Sequence, residues 1–113
     1  MTSPTRVCQK AIVAVLIVLM WSAPSTADAL TLQRRGQTLA KRMCGQCHAI
    51  GKSGESPRAG APRFAHFGDR LDLSTFARRL RRGLLPGHED MPMFRFSRPD
   101  ADALAAYVRS IQQ

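Results

Sequence analysis

The chain is short of acidic residues, cysteines, aromatics and long apolar runs. Its longest apolar stretch, Ala11–Trp21, has 11 residues, against the about 20 that a comfortable membrane span needs. No segment alternates apolar and polar residues as a half-buried strand does, so sheet-based folds are excluded and the expected class is all-α. Of the three cysteines, Cys8 lies before the apolar run, which leaves only Cys44 and Cys47 for the body of the protein. The single tryptophan, Trp21, lies in the apolar run, so the rest of the chain has none. Eight Asp and Glu stand against 17 Lys and Arg, a net charge of +9. Such a surface calls for an acidic protein face, an anionic membrane face or nucleic acid as partner.

The N-terminal 29 residues have the layout of an export signal. Arg6 and Lys10 precede the apolar run, Pro24 follows it, and Ala27-Asp28-Ala29 supplies a small-residue cleavage site. We read residues 1–29 as a secretory signal cut after Ala29, with a cut after Ala27 or an uncleaved anchor as alternatives. The body is then 30–113, one domain of 84 residues in which 15 basic residues face 7 acidic ones, a net charge of +8. Export makes nucleic acid an unsuitable partner and restricts membrane contact to the surface.

What is present is concentrated in Cys44-Gly45-Gln46-Cys47-His48. Two cysteines three apart, with a histidine directly after the second, form the C-x-x-C-H signature of covalent c-type haem attachment. Two intervening residues let one short helical turn reach both vinyl groups on one porphyrin edge, and the next residue brings its imidazole to the iron. Cys44 and Cys47 are therefore the expected thioether positions and His48 the proximal axial ligand. A thioredoxin-like pair needs a βαβ setting, and no strand pattern precedes Cys44. A zinc site needs two further ligands, for which His66 and His88 are poorly spaced. A Cys44–Cys47 disulfide leaves His48 without a role. Thioether formation takes place on the outer face of a bacterial membrane, so attachment and export agree, and the expected location is the periplasm.

Three helical stretches are expected. The first runs from about Leu32 to Met43, with Leu32, Leu39, Ala40 and Met43 near helical spacing. Gly36 interrupts it, and a mid-helix glycine signals close approach of another element. The second covers about Ser74 to Arg82, with Asp72 or Ser74 as cap, Gly83 as stop, and Leu73, Phe76, Ala77 and Leu80 inward. The third opens at Ser97 and carries Leu104, Tyr107, Val108 and Ile111 at i, i+3, i+4 and i+7, a face about 100° wide. Residues 50–60 read as loop. Gly51-Lys52-Ser53 is no phosphate loop, because Gly45 lies one residue too far upstream.

A haem iron with a proximal histidine has a second axial position, and its occupant sets the function. Beyond residue 50 the available groups are His66, His88, Met91 and Met93. One remaining axial position takes one sulfur, so one of Met91 and Met93 at most binds. The haem motif near the start of the body, Met91-Pro92-Met93-Phe94, and Phe96-Ser97 opening a last helix with Ala106-Tyr107 together resemble the class I monohaem cytochromes c across residues 31–112. The resemblance implies the small all-α cytochrome c fold, three main helices and loops wrapped around one covalently bound haem c. It implies that the methionine directly before the proline, Met91, is the distal iron ligand. It further implies that the Pro62 carbonyl, in Ala61-Pro62-Arg63-Phe64, accepts a hydrogen bond from His48, and that the first and last helices cross at Gly36.

The function expected is a periplasmic one-electron carrier, without bond-making chemistry, serving redox partners with acidic surfaces as a monomer or as a subunit of a redox complex. The alternatives are a cytochrome subunit of a periplasmic dehydrogenase or oxidase, and an open-site gas sensor or peroxidase using His88 and Glu89. So short a body builds a marginal core from side chains alone, and a buried haem supplies the missing apolar mass. Haem-free protein carrying Cys44→Ala and Cys47→Ala is therefore expected to be largely unfolded. Circular dichroism checks this, and a cooperative melting transition in that variant contradicts it.

Overall fold

The computed structural model describes residues 25–83 and 90–113. Most of the export-signal stretch, with Cys8, lies outside the described residues, as do Pro86, Gly87, His88 and Glu89. Among the described residues the fold is all-α: helix α1 (Thr26–Met43), a 3₁₀ segment (Phe64–Asp69), helix α2 (Phe76–Arg82) and helix α3 (Arg98–Ser110).

Helix α1 begins six residues before the expected Leu32. Ser25 caps it, accepting from the Ala27 N–H at 3.2 Å, and Asp28 in the first turn and Lys41 and Arg42 in the last suit the helix dipole. This early part projects past the core. Leu30 is 54% and Leu32 38% exposed, so Leu32 is not part of the buried face that its spacing predicted. Local capping, with no apolar signal, extends the helix there. Further along, Gly36 and Ala40 are buried.

The main packing is α1 across α3. A Cβ on Gly36 would lie 2.0 Å from the Ala103 carbonyl oxygen and 2.7 Å from the Tyr107 Cβ. Only glycine permits that approach, and Ala103 together with Tyr107 forms the contact predicted for Tyr107 or Leu104. The crossing is pinned at its edge by Arg35, whose guanidinium meets the Asp100 carboxylate at 2.7 Å. Asp100 also accepts from the Ser97 hydroxyl at 2.8 Å. The Ser97 bond first, then Arg35, holds this carboxyl below its usual range. Leu104, Tyr107, Val108 and Ile111 are all buried as their spacing predicted.

Helix α2 starts at Phe76, two residues later than expected. Asp72 accepts from the Ser74 N–H at 2.9 Å and the Ser74 hydroxyl at 2.6 Å, so residues 72–75 form a turn in place of a first helical turn. Gly83 ends the helix at φ 101°, a conformation that favours glycine. Phe76 and Leu80 are buried, while Leu73 and Ala77 are half-buried against the same core.

The 3₁₀ segment was not predicted; six residues with a break at His66 leave no period to read. It is held from outside, by Gln112, which donates to the Phe64 carbonyl at 2.8 Å and accepts from the Gly68 N–H at 2.7 Å.

An alanine at position 36 must push the α1 and α3 backbones apart. Gly36→Ala is expected to cost about 3 kcal/mol, as overpacking does, although alanine ordinarily gains about 1 kcal/mol in a helix. Urea unfolding of the holoprotein measures this, and a neutral or stabilising result would mean that the helices do not approach so closely.

Candidate functional site

The site starts where α1 stops. The Cys44 and Gly45 N–H groups both donate to the Ala40 carbonyl, at 2.9 and 3.0 Å, and the Cys47 and His48 N–H groups both donate to the Cys44 carbonyl, at 3.1 and 2.9 Å. The motif is thus one further turn wound on the end of the helix. Gly45 is required there, because a Cβ would lie 2.8 Å from the Lys41 carbonyl oxygen. Cys44 and Cys47 are not joined in a disulfide, and both line one cleft together with His48. Burial pushes the Cys44 thiol up to about 11. Among the described residues no cluster of three or more His, Cys, Asp or Glu side chains could hold a metal ion.

His48 is buried at 8% exposure, and its Nδ1 lies 2.7 Å from the Pro62 carbonyl oxygen. A carbonyl only accepts, so Nδ1 carries the hydrogen and Nε2 keeps its lone pair for a metal. The loop that delivers Pro62 is tied to the motif. The Arg58 N–H donates to the Cys47 carbonyl at 3.2 Å and the Phe64 N–H to the Ala49 carbonyl at 2.9 Å. The Ala49 N–H donates to the Ser56 hydroxyl at 2.9 Å. Phe64 and Phe67 close on the imidazole, with ring centroids 5.6 and 6.1 Å from it.

The cleft has a volume of about 720 Å³, its open mouth included. Phe64, Phe67, Phe76, Leu80, Phe96 and Leu104 supply its walls, and Asp90, Met91 and Pro92 part of its lining. Met93 is 67% exposed and takes no part in that lining, so of the two methionines only Met91 faces the cleft. Apolar walls of this extent need an apolar occupant. Two thiols on one turn, an imidazole in a fixed tautomer and a thioether, all on one apolar cleft, fit a haem.

Cys44, Cys47, His48, Pro62 and Met91 are thus brought together. His66 is not. It sits on the 3₁₀ segment, its Nδ1 3.3 Å from the Asp69 carboxylate. His88 and Glu89, the open-site pair, lie outside the described residues. Sequence reasoning missed an ion pair between Arg58 and Asp90, which are 32 residues apart with no shared pattern to betray them.

Residues 31–108 match the family model described as cytochrome c oxidase, cbb3-type, subunit III. A curated relative, cytochrome c-552 of Bradyrhizobium diazoefficiens, is 36% identical over 91 residues, covering 80% of this chain and 86% of the relative. No solved structure gives a significant match.

Proposed function

The chain belongs to the monohaem cytochrome c family, and from that premise we propose that it is an exported one-electron carrier with His48 and Met91 as the axial ligands of its haem iron. Membership brings one covalently bound haem c, an electron-transfer role and redox protein partners. The observation that carries the finer reading is the grouping on one apolar cleft of both motif cysteines, His48 and Met91. Cys44 and Cys47 hold the ring by thioethers. The Pro62 carbonyl keeps the His48 proton on Nδ1 and so presents Nε2, a constraint that orients the ring and raises its basicity. Met91 closes the other side, and its thioether favours the reduced state. The aromatic walls exclude water. The bound haem supplies an iron that gains and loses one electron.

We further read residues 1–29 as the export signal and the periplasm as the location. Residues 25–30 are exposed, so a cut after Ala29 removes the Ser25 cap and one turn of α1 without touching the core. The intact mass of the exported protein reads the position of that cut. Among the described residues no helix is long and apolar enough to cross a membrane.

The excess of basic residues favours a partner with an acidic face, and steering by exposed charges is screened by salt. The bimolecular electron-transfer rate with such a partner is expected to fall as salt rises. A salt-independent rate would remove the steering proposal.

The matching family, that of an oxidase subunit, favours a second reading, in which the chain is the cytochrome subunit of a membrane redox complex. Copurification with a membrane oxidase after detergent extraction would support that reading, and a freely soluble monomer the carrier.

Met91→Ala is the direct test of the ligand set. It is expected to remove the far-red sulfur-to-iron band, lower the potential and open the iron to carbon monoxide. A variant with the wild-type spectrum and potential would show that Met91 is not the ligand.

A further inference from the structure

The segment that carries Met91 is held at its two ends. At the far end the Phe96 N–H donates to the Leu80 carbonyl at 3.1 Å, and among the described residues no other backbone hydrogen bond ties 90–96 to the rest of the chain. At the near end Asp90, adjacent to Met91 and lining the same cleft, pairs with the guanidinium of Arg58. Arg58 is itself part of the proximal loop, since its N–H donates to the Cys47 carbonyl and its carbonyl accepts from the Ala61 N–H at 3.1 Å. One ion pair therefore joins the loop anchored on the second motif cysteine to the residue just before Met91.

We propose that Arg58 and Asp90 form a latch that positions Met91, restraining the departure of its sulfur from the iron. This rests on Met91 being the axial ligand. Both are positioning residues, since neither touches the reacting iron. The two side chains are 42% and 65% exposed, and exposed pairs are weak, so the latch shifts the opening equilibrium about two- to five-fold. It is also screened by salt.

A latch is separable from a simple field effect at the iron. Removing the positive charge of Arg58 and removing the negative charge of Asp90 alter the local potential in opposite directions. Breaking a latch from either side has the same consequence. The discriminating quantity is the rate at which Met91 leaves, and the sign of its change in each variant.

The experiment uses ferric holoprotein mixed with excess imidazole, following loss of the far-red band until the rate saturates. The saturating rate reads the spontaneous opening of the methionine–iron bond. Arg58→Gln and Asp90→Asn are each expected to raise it about two- to five-fold at low salt, with the double variant no faster than either single one. Arg58→Lys restores most of the wild-type rate, and the differences vanish near 1 M salt, where the Debye length is about 3 Å. Unchanged rates, changes of opposite sign, or effects that persist at high salt would overturn the latch. Met91→Ala separates the two claims. If it leaves the band and potential intact, the ligand assignment fails; if it abolishes the band while the Arg58 and Asp90 variants match wild type, only the latch fails.

Discussion

The close approach of α1 over α3 at Gly36 is the constraint from which the rest follows. With the Ala103 carbonyl occupying the space of an absent Cβ, the helices meet backbone to backbone, and the direction of α1 is fixed. The motif is wound directly onto the last turn of that helix. The crossing therefore also aims both cysteines and His48. On the other side, Leu104 follows Ala103 in the chain and lines the cleft. One contact thus sets the distance between the turn that carries the cysteines and the opposite wall.

The cleft explains why so small a body suffices. Among the described residues the largest fully buried side chains are Leu80, Leu104 and Val108, none of them aromatic. Around them the aromatic residues are arranged in a chain, with Phe64 and Phe67 at 4.5 Å between centroids and Phe67 and Phe76 at 6.1 Å. They face the cleft as much as each other. Phe64 and Phe76 are already buried at 3% and 2% exposure, while Phe67 is half-buried, so the haem of the family adds apolar mass to a wall that the chain has largely built.

Much of this was legible in the sequence, and the exceptions have physical causes. The C-x-x-C-H motif could be read because its spacing is dictated by the geometry of the ring it grips. Helix α3 could be read because a cap, a proline and a four-residue apolar face agree. Gly36 could be read because glycine is unfavourable in a helix without a packing reason. The start of α1 was misplaced because Leu30 and Leu32 are exposed, so nothing apolar marks the boundary that Ser25 sets. Helix α2 was begun too early because Asp72 closes a turn with Ser74, a local alternative to helix that spacing does not reveal. The 3₁₀ segment depends on Gln112, 44 residues from Gly68, and no local pattern can announce such a contact.

The two sides of the site are held by different means, and that asymmetry carries functional weight. On the proximal side, His48 follows an attached cysteine, is buried, and is fixed through Nδ1 to a loop that is itself hydrogen-bonded to the motif. With His48 as the proposed proximal ligand, losing it requires unfolding the loop, the motif turn and the aromatic contacts together. On the distal side, Met91 sits in irregular chain, secured at the Phe96 end by a backbone bond and at the Asp90 end by an exposed ion pair. Local opening takes the path of fewest buried contacts. With His48 and Met91 as the proposed ligands, any excursion of the iron from its two-ligand state therefore begins at Met91 and leaves His48 in place. A carrier needs its ligands steady during electron transfer. Under the proposed reading, a chain with one rigid side and one weakly latched side meets that need at rest while keeping a low-cost route to a second state of the iron.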